Sequence, residues 1–551
     1  MQAYKPIKSM LLLLAALLLY GCGKEDTSKQ DTSKQDAPKQ DASKQETAIE
    51  YMPIAYTGKA SKGYEVKTVD YDFGSYMLQQ AGETDTPYQL RGILSYPINH
   101  SIDKLRTVVL IHGCHDNYNE RRYDVGFRYL TEYLAENGYL AVSIDVNAAY
   151  DWHYGDNREY TKVPLLFAKQ MQLLDMLNEG KENPYGIDLE NRIAMDSIML
   201  LGHSTAGEII FDIAREQENH VDYLVSLAPT GNALDTEYDI PLKGLSILVP
   251  EYDGDVMNLD GIAIWNRLKH SEKQQRASAV LLKKANHNYF NTVLTVNDAE
   301  RTGQDITGQL TKEQQRDFLK NYVVMNADIF FGGVYTDTIF DPHVETTDKI
   351  NGLDVVTYLK TQGLVVLADE ETAYQGNGQV LISREIDSTK LPQDTTPGIA
   401  TALLGEDSLR VTRFLWHTKN AFVTIPLSRS DWRDFGSLGI TVMPDPYNEA
   451  NKKGEAQGFT LVLEDRLGHR AGVVITQDSQ LIAYPRGEMA TLDLEEQGMI
   501  YFWDGVTVPV DIRIPLSYFD TLDLKNISKC SILLNQKEEG CFYLQSIELL
   551  K

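Results

Sequence analysis

Apolar positions in the first two thirds of the chain alternate between two patterns. Short β-branched or apolar runs predict buried strands at Thr107–His112, Tyr139–Asp145, Ser197–Leu201, Tyr223–Leu227, Leu245–Val249 and Ala279–Leu282. Between them, three- and four-residue spacing predicts helices over Phe127–Glu136, Val163–Asn178, Ile262–His270 and Gln314–Phe331. Another helix begins just after Ser204, with Ala206, Ile209, Ile210, Ile213 and Ala214 on one face. Strands alternating with helices imply an α/β domain, a mainly parallel sheet covered on both faces. In such sheets functional residues gather at the carboxyl ends of the strands.

From about Gly376 the pattern changes. Gly, Pro, Asp and Asn separate short runs at Gln379–Ile382, Ser408–Phe414, Ala421–Pro426, Gly439–Met443, Phe459–Glu464, Gly472–Thr476, Val508–Ile514, Cys530–Leu534 and Phe542–Leu549. This predicts a second, all-β domain of the sandwich kind. A hairpin turn is expected near Lys537–Gly540, which sets Cys541 across from about Gln536 and leaves Cys530 too distant for a disulfide.

The amino terminus has a different character. Lys5 and Lys8 precede an apolar run from Met10 to Leu19, too short to span a bilayer as a mature helix. Leu19-Tyr-Gly-Cys22 follows and resembles the lipobox of bacterial lipoproteins, which implies lipidation at Cys22 and a membrane-anchored protein of the cell envelope. Four related pentapeptides then run from Asp26 to Gln45, each with one Asp and one Lys. They have no apolar face to bury and are expected to be a disordered, neutral tether. Random-coil scaling gives a reach of roughly 25–30 Å for ~25 residues. The expected organisation is a signal segment 1–22, a linker 23–50, an α/β domain 51–335, a connector 336–375 and a β domain 376–551. Formal net charge is −27 over 551 residues. The tether is neutral, so the folded part is acidic, which argues against nucleic acid as a partner.

Candidate chemistry concentrates in Leu200-Leu-Gly-His-Ser-Thr-Ala-Gly207. A strand turning directly into a helix with Ser204 at the apex has the form of a nucleophile elbow. Gly202 allows the tight turn, and Ala206 and Gly207 allow close helix packing. The Ser204 side chain is expected to be exposed at the helix start, where the dipole favours an oxyanion. A serine nucleophile needs a His base and an acid to orient it. Leu245–Val249 runs into Glu251, Asp253 and Asp255, and Ala279–Leu282 runs into His287. The order Ser204, Asp253, His287 is serine, acid, histidine, with Asp255 or Glu251 as the alternative acid. His203, His220 and His270 are weaker bases by position. Expected oxyanion donors are the backbone N–H groups of Thr205 and Cys114, with His115 as alternative. A Cys114 nucleophile lacks an elbow of its own.

Together, strand-His-Gly, Gly-His-Ser-Thr-Ala-Gly, strand-Asp-Gly-Asp and Ala-Asn-His-Asn resemble the α/β-hydrolase family. They are most similar to its serine esterases and lipases of the dienelactone-hydrolase and platelet-activating-factor-acetylhydrolase type. The resemblance implies ester hydrolysis through an acyl-enzyme, on a small-molecule or lipid ester, with no metal or organic cofactor. Ala206 departs from the usual Gly. An aromatic insert, Asn147–Lys162, reads either as a lid over the site or as a surface loop. The chain's end resembles galactose-binding-like jelly rolls, which implies carbohydrate as a candidate partner. Trp416, Trp432 and Trp503 are either stacking platforms or core residues. Two readings compete with an esterase: an amidase or peptidase using the same three residues, and a non-catalytic surface protein that binds carbohydrate or protein.

Overall fold

A computed structural model describes residues 48–551 except 79–85, 116–120, 151–161, 182, 217–218, 232–235, 258, 274–275, 385–394, 397–409, 447, 486, 488, 495–497 and 504–507. Cys22, the tether repeats and most of the aromatic insert, including Trp152, His153, Tyr154 and Tyr160, lie outside the described residues.

Short β-branched runs bounded by turns form a large mixed sheet. Its strands are β2 (Ile54–Tyr56), β3 (Glu65–Leu78), β4 (Thr86–Ile98), β5 (Leu105–Ile111), β6 (Leu140–Ile144), β7 (Ile193–His203), β8 (Val221–Leu227), β9 (Gly244–Pro250), β10 (Ala277–Leu282), β11 (Thr347–Ile350) and β12 (Leu353–Lys360). They lie in the order β2-β11-β12-β10-β9-β8-β7-β5-β6-β4-β3. The six central strands, β6 to β10 with β5, pair in parallel. Helices α2 (Lys162–Asn178), α3 (Thr205–Arg215) and α4 (Asp260–Leu268) pack on one face. Helices α1 (Arg128–Glu136) and α5 (Lys312–Gly332) cover the other. Both faces being dry explains why β8, β9 and β10 are apolar almost throughout rather than alternating.

The remaining chain is strand-rich. One sheet runs from β1 (Ala48–Glu50) through Arg470–Ile475, Phe459–Asp465, Ile527–Leu533 and Phe422–Ile425 to Gln375–Gly376. The other runs through Val380–Arg384, Thr412–Trp416, Gly540–Leu550, Ser437–Pro444 and Val510–Pro515. Their inner faces share one core that includes Phe414, Ile440 and Leu544 from one sheet and Val423, Leu461 and Ile532 from the other. All nine runs expected after Gly376 overlap strands.

Three expectations need correction. Residues 336–375 are more than a connector. β11 and β12 extend the large sheet, β12 pairing antiparallel with β10, and β13 (Val365–Ala368) adds to Gly540–Leu550. The segment after the tether belongs to the β-rich part before it reaches the large sheet. β1 pairs with Arg470–Ile475, and buried Tyr51 donates its hydroxyl to the Arg513 carbonyl at 2.8 Å while accepting from Thr346 N–H at 2.8 Å. Finally, Cys530 and Cys541 do not sit on one hairpin, because Ile527–Leu533 and Gly540–Leu550 lie in different sheets. Cys114, Cys530 and Cys541 are not disulfide-bonded.

A buried polar knot joins the two parts. Lys269, at the end of α4, places Nζ 3.2 Å from Glu548 and 3.7 Å from Asp511, and donates to Thr441 and Ser546 hydroxyls. Lys360 Nζ in turn donates to the Lys269 carbonyl. The Glu548 carboxyl is fully desolvated, yet the facing Lys269 and His270 hold it down at about 2.

Candidate active site

The strand ends bring four loops together. Ser204 joins β7 directly to α3 with φ +60° and ψ −129°, a conformation a non-glycine residue adopts only under constraint. The constraint is visible on both sides. Ser204 N–H donates to the Leu227 carbonyl at 2.9 Å, and the Ser204 carbonyl accepts from Gly207 N–H at 2.7 Å. The turn is tight enough that a Cβ at Gly202 would lie 2.2 Å from the Ala206 carbonyl oxygen. After β5, a Cβ at Gly113 would lie 2.5 Å from the Ser204 Cβ, so glycine is required for that loop to press on the serine. The consequence is that Ser204 is buried, at 3% exposure, and not exposed as the elbow alone suggests.

Thr205 opens α3, where backbone donors have no acceptor within the helix. Cys114 follows Gly113 on the neighbouring loop, its side chain half-buried. The His115 ring packs against Tyr123, with centroids 4.5 Å apart. Burial, then the nearby His112 and His287, hold His115 well below the usual histidine range.

Asp253 and His287 come from the ends of β9 and β10 and meet. His287 Nδ1 lies 2.9 Å from Asp253 Oδ2, and both residues are buried. The other Asp253 oxygen accepts from Asp255 N–H at 2.9 Å and Val256 N–H at 2.6 Å. Asp255 stands on the opposite side of the ring. Its Oδ2 is 3.7 Å from His287 Nε2, its Oδ1 is 3.3 Å from Arg301, and it is half-exposed. Glu251 is turned to the adjacent strand end, accepting from Lys284 N–H. Burial disfavours a charged His287 ring, but Asp253 first, then Asp255 and Asp298, outweigh it and push the ring up to about 9. Nε2 is buried and has no hydrogen-bond partner among the described residues, so the Ser204 hydroxyl is not bonded to it here.

His203 lies beneath the turn, as its position predicts. Its ring is fully buried, 4.6 Å from the His287 ring, and its Nε2 is 3.2 Å from the His287 carbonyl. Desolvation, then His287 and His115, keep it well below the usual range and hence neutral. His220 is exposed, and His270 pairs with Glu548 at the junction with the β-rich part. Asn286 and Asn288 bind their own loop, through Tyr289 N–H, Asn297 and the Val296 carbonyl.

Two buried carboxylates escape sequence reasoning. Glu208, one turn into α3, accepts from Thr230 and Tyr238 hydroxyls at 2.7 and 2.8 Å. Asp298 contacts the loops of both Asp253 and His287. Neither stands in a motif, because their partners lie 10 to 44 residues away in the chain, beyond the span of a local pattern. Trp416 and Trp432 are fully buried core residues, which removes both as stacking platforms. The Trp503 side chain lies outside the described residues. Among the described residues, no group of three or more His, Cys, Asp or Glu side chains could hold a metal ion. No protein-family model matches the sequence, and no curated protein matches it either.

Proposed function

We propose that the protein is a serine hydrolase that cleaves carboxylic esters through an acyl-enzyme on Ser204. One observation carries this reading: a serine held at a left-handed strand-to-helix turn shares the carboxyl edge of a parallel sheet with a buried His287–Asp253 pair. In this reading the Ser204 hydroxyl attacks the ester carbonyl carbon and passes its proton to His287 Nε2. Asp253 holds the ring by Nδ1 and stabilises its positive charge. Thr205 and Cys114 N–H groups receive the oxyanion. Collapse expels the alcohol, which takes the proton from His287, and water repeats the sequence to release the acid. Ser204 and Nε2 are not bonded in the structure, and catalytic hydrogen bonds commonly tighten only when substrate binds.

The parallel strand order, the helices on both faces and the Ser–Asp–His order support an α/β-hydrolase fold. The two facing sheets of the carboxyl-terminal part support a jelly-roll sandwich. The proposed cellular setting is an envelope protein anchored by lipid on Cys22. The deciding experiment assays the purified protein on short and long p-nitrophenyl esters and on matching anilides. Ester hydrolysis lost in Ser204→Ala supports the proposal, anilide-only turnover makes the protein an amidase, and no turnover of either contradicts it.

A further inference from the structure

Two of the site's key loops are paired at their bases, where Glu251 N–H donates to the Leu282 carbonyl at 3.0 Å and Tyr252 N–H donates to the Ala285 carbonyl at 2.7 Å. The Asp253 loop leaves β9, the His287 loop leaves β10, and both extend beyond the last paired residues of those strands, Pro250 and Leu282. Beyond those bases the loops meet through the Asp253–His287 side-chain contact. A third segment, 11 residues beyond His287 and 44 beyond Gly254, ties their backbones together as well.

We propose that Asp298 is a positioning residue that fastens the Asp253 loop to the His287 loop and thereby sets the orientation of the His287 ring. Its side chain is fully buried. Oδ2 accepts from Gly254 N–H at 2.9 Å and from His287 N–H at 3.0 Å, and Oδ1 accepts from Asn288 N–H at 2.9 Å. One carboxylate thus takes three backbone protons, one from the residue after Asp253, one from His287 itself and one from the residue after it. Only a carboxylate offers acceptors at both oxygens without presenting a donor. The packing is equally close. A Cβ at Gly254 would lie 1.8 Å from the Asp298 carbonyl oxygen, so the Asp253-Gly254 turn is built against this segment and admits no larger residue. Losing the acceptors would strand three N–H groups in a dry region, a costly outcome that shifts the loops instead. Desolvation pushes the Asp298 carboxyl above the usual carboxylate range, while His287 and the Asn288 and Gly254 N–H groups oppose that rise.

This inference rests on the proposed hydrolase reading for its catalytic consequence, but not for its physical test. The charged groups facing His287 are Asp253, Asp255 and Asp298, with Arg301 on Asp255 and the neutral rings of His203 and His115 alongside. In Asp298→Asn, one or more of the three N–H groups must face an amide NH2, and one negative charge is lost. Histidine-selective NMR of the full chain should show the His287 midpoint falling by about half a pH unit or more. On a soluble ester, kcat on the alkaline plateau should fall at least about tenfold with KM changed less than about twofold, the signature of a misaligned base with an intact binding site. A folded variant that keeps the wild-type midpoint and plateau kcat would overturn the proposal. If the variant does not fold, wild type still decides. The amide protons of Gly254, His287 and Asn288 should titrate together at one midpoint as Asp298 is protonated, and separate or absent titrations would overturn it. Should wild type hydrolyse no ester, the hydrolase reading fails while both NMR measurements still test Asp298.

Discussion

Removing the charge of Asp255 should make the proposed hydrolase faster at neutral pH. His287 at about 9 leaves roughly one ring in a hundred neutral at pH 7, so most molecules lack a free base. Asp255 contributes to that rise from the Nε2 side, 3.7 Å away. Two unit charges at that separation attract by about 1 kcal/mol in water and about 4.5 kcal/mol at an effective dielectric of 20. Asp255 is 42% exposed and shares its charge with Arg301, so solvent screening sets the value near the lower figure, about 1 kcal/mol. That corresponds to a shift of about 0.7 pH unit, or roughly a fivefold gain in neutral base at pH 7. The assay is kcat/KM for an uncharged acetate ester across about pH 6 to 10, where the ascending limb reports the free enzyme's base. Asp255→Asn should move the limb down from about 9 by about 0.7 unit and leave the plateau unchanged. An unmoved limb would refute the electrostatic argument. A collapsed plateau would give Asp255 the orienting role assigned to Asp253.

Other outcomes follow from the same geometry. Asp253→Asn removes the acceptor 2.9 Å from Nδ1 and should cost roughly 10³–10⁴ in kcat, read on the alkaline plateau where protonation no longer limits. His287 is raised in the folded state, so its stabilising contribution is full below the unfolded value of about 6.5 and disappears as pH rises through about 9. His287→Gln should flatten the urea-midpoint profile in that window. Lys269→Met leaves Glu548 and Asp511 buried without their cation and should destabilise the protein by about 3–5 kcal/mol, measured by urea unfolding. Truncation after residue 340 removes β11 and β12 and bares the edge of β10, so the fragment should be insoluble or unfolded by circular dichroism.

The six central strands and five helices are legible in the sequence because a sheet buried on both faces demands unbroken apolar runs. The strand-to-helix turn at Ser204 is legible for a steric reason, since Gly202 and Gly113 occupy positions where any Cβ would collide. In the sequence Asp253 is distinguished from Asp255 by its proximity to the strand, and the structure puts them on opposite sides of one ring. The sheet edges carry a weaker signal. β3 and β4 form a long antiparallel hairpin in which β3 is largely exposed and carries many polar side chains, and β11 and β12 look like linker because they lie after the closing helix. Asp298 and Lys269 carry no local signal, because a carboxylate or amine among distant partners looks in sequence like any surface charge. The burial of Trp416 and Trp432 depends equally on two sheets meeting, which no single strand records.

The most direct test of Ser204 as nucleophile is covalent capture. Wild-type protein treated with a fluorophosphonate and digested should yield one modified peptide carrying the adduct on Ser204, with ester hydrolysis lost in proportion to labelling. Ser204→Ala should take up no label and lose on the order of 10⁴–10⁶ in turnover while its circular dichroism is unchanged. Labelling at another residue, or a Ser204→Ala variant that keeps most of its activity, would contradict the account.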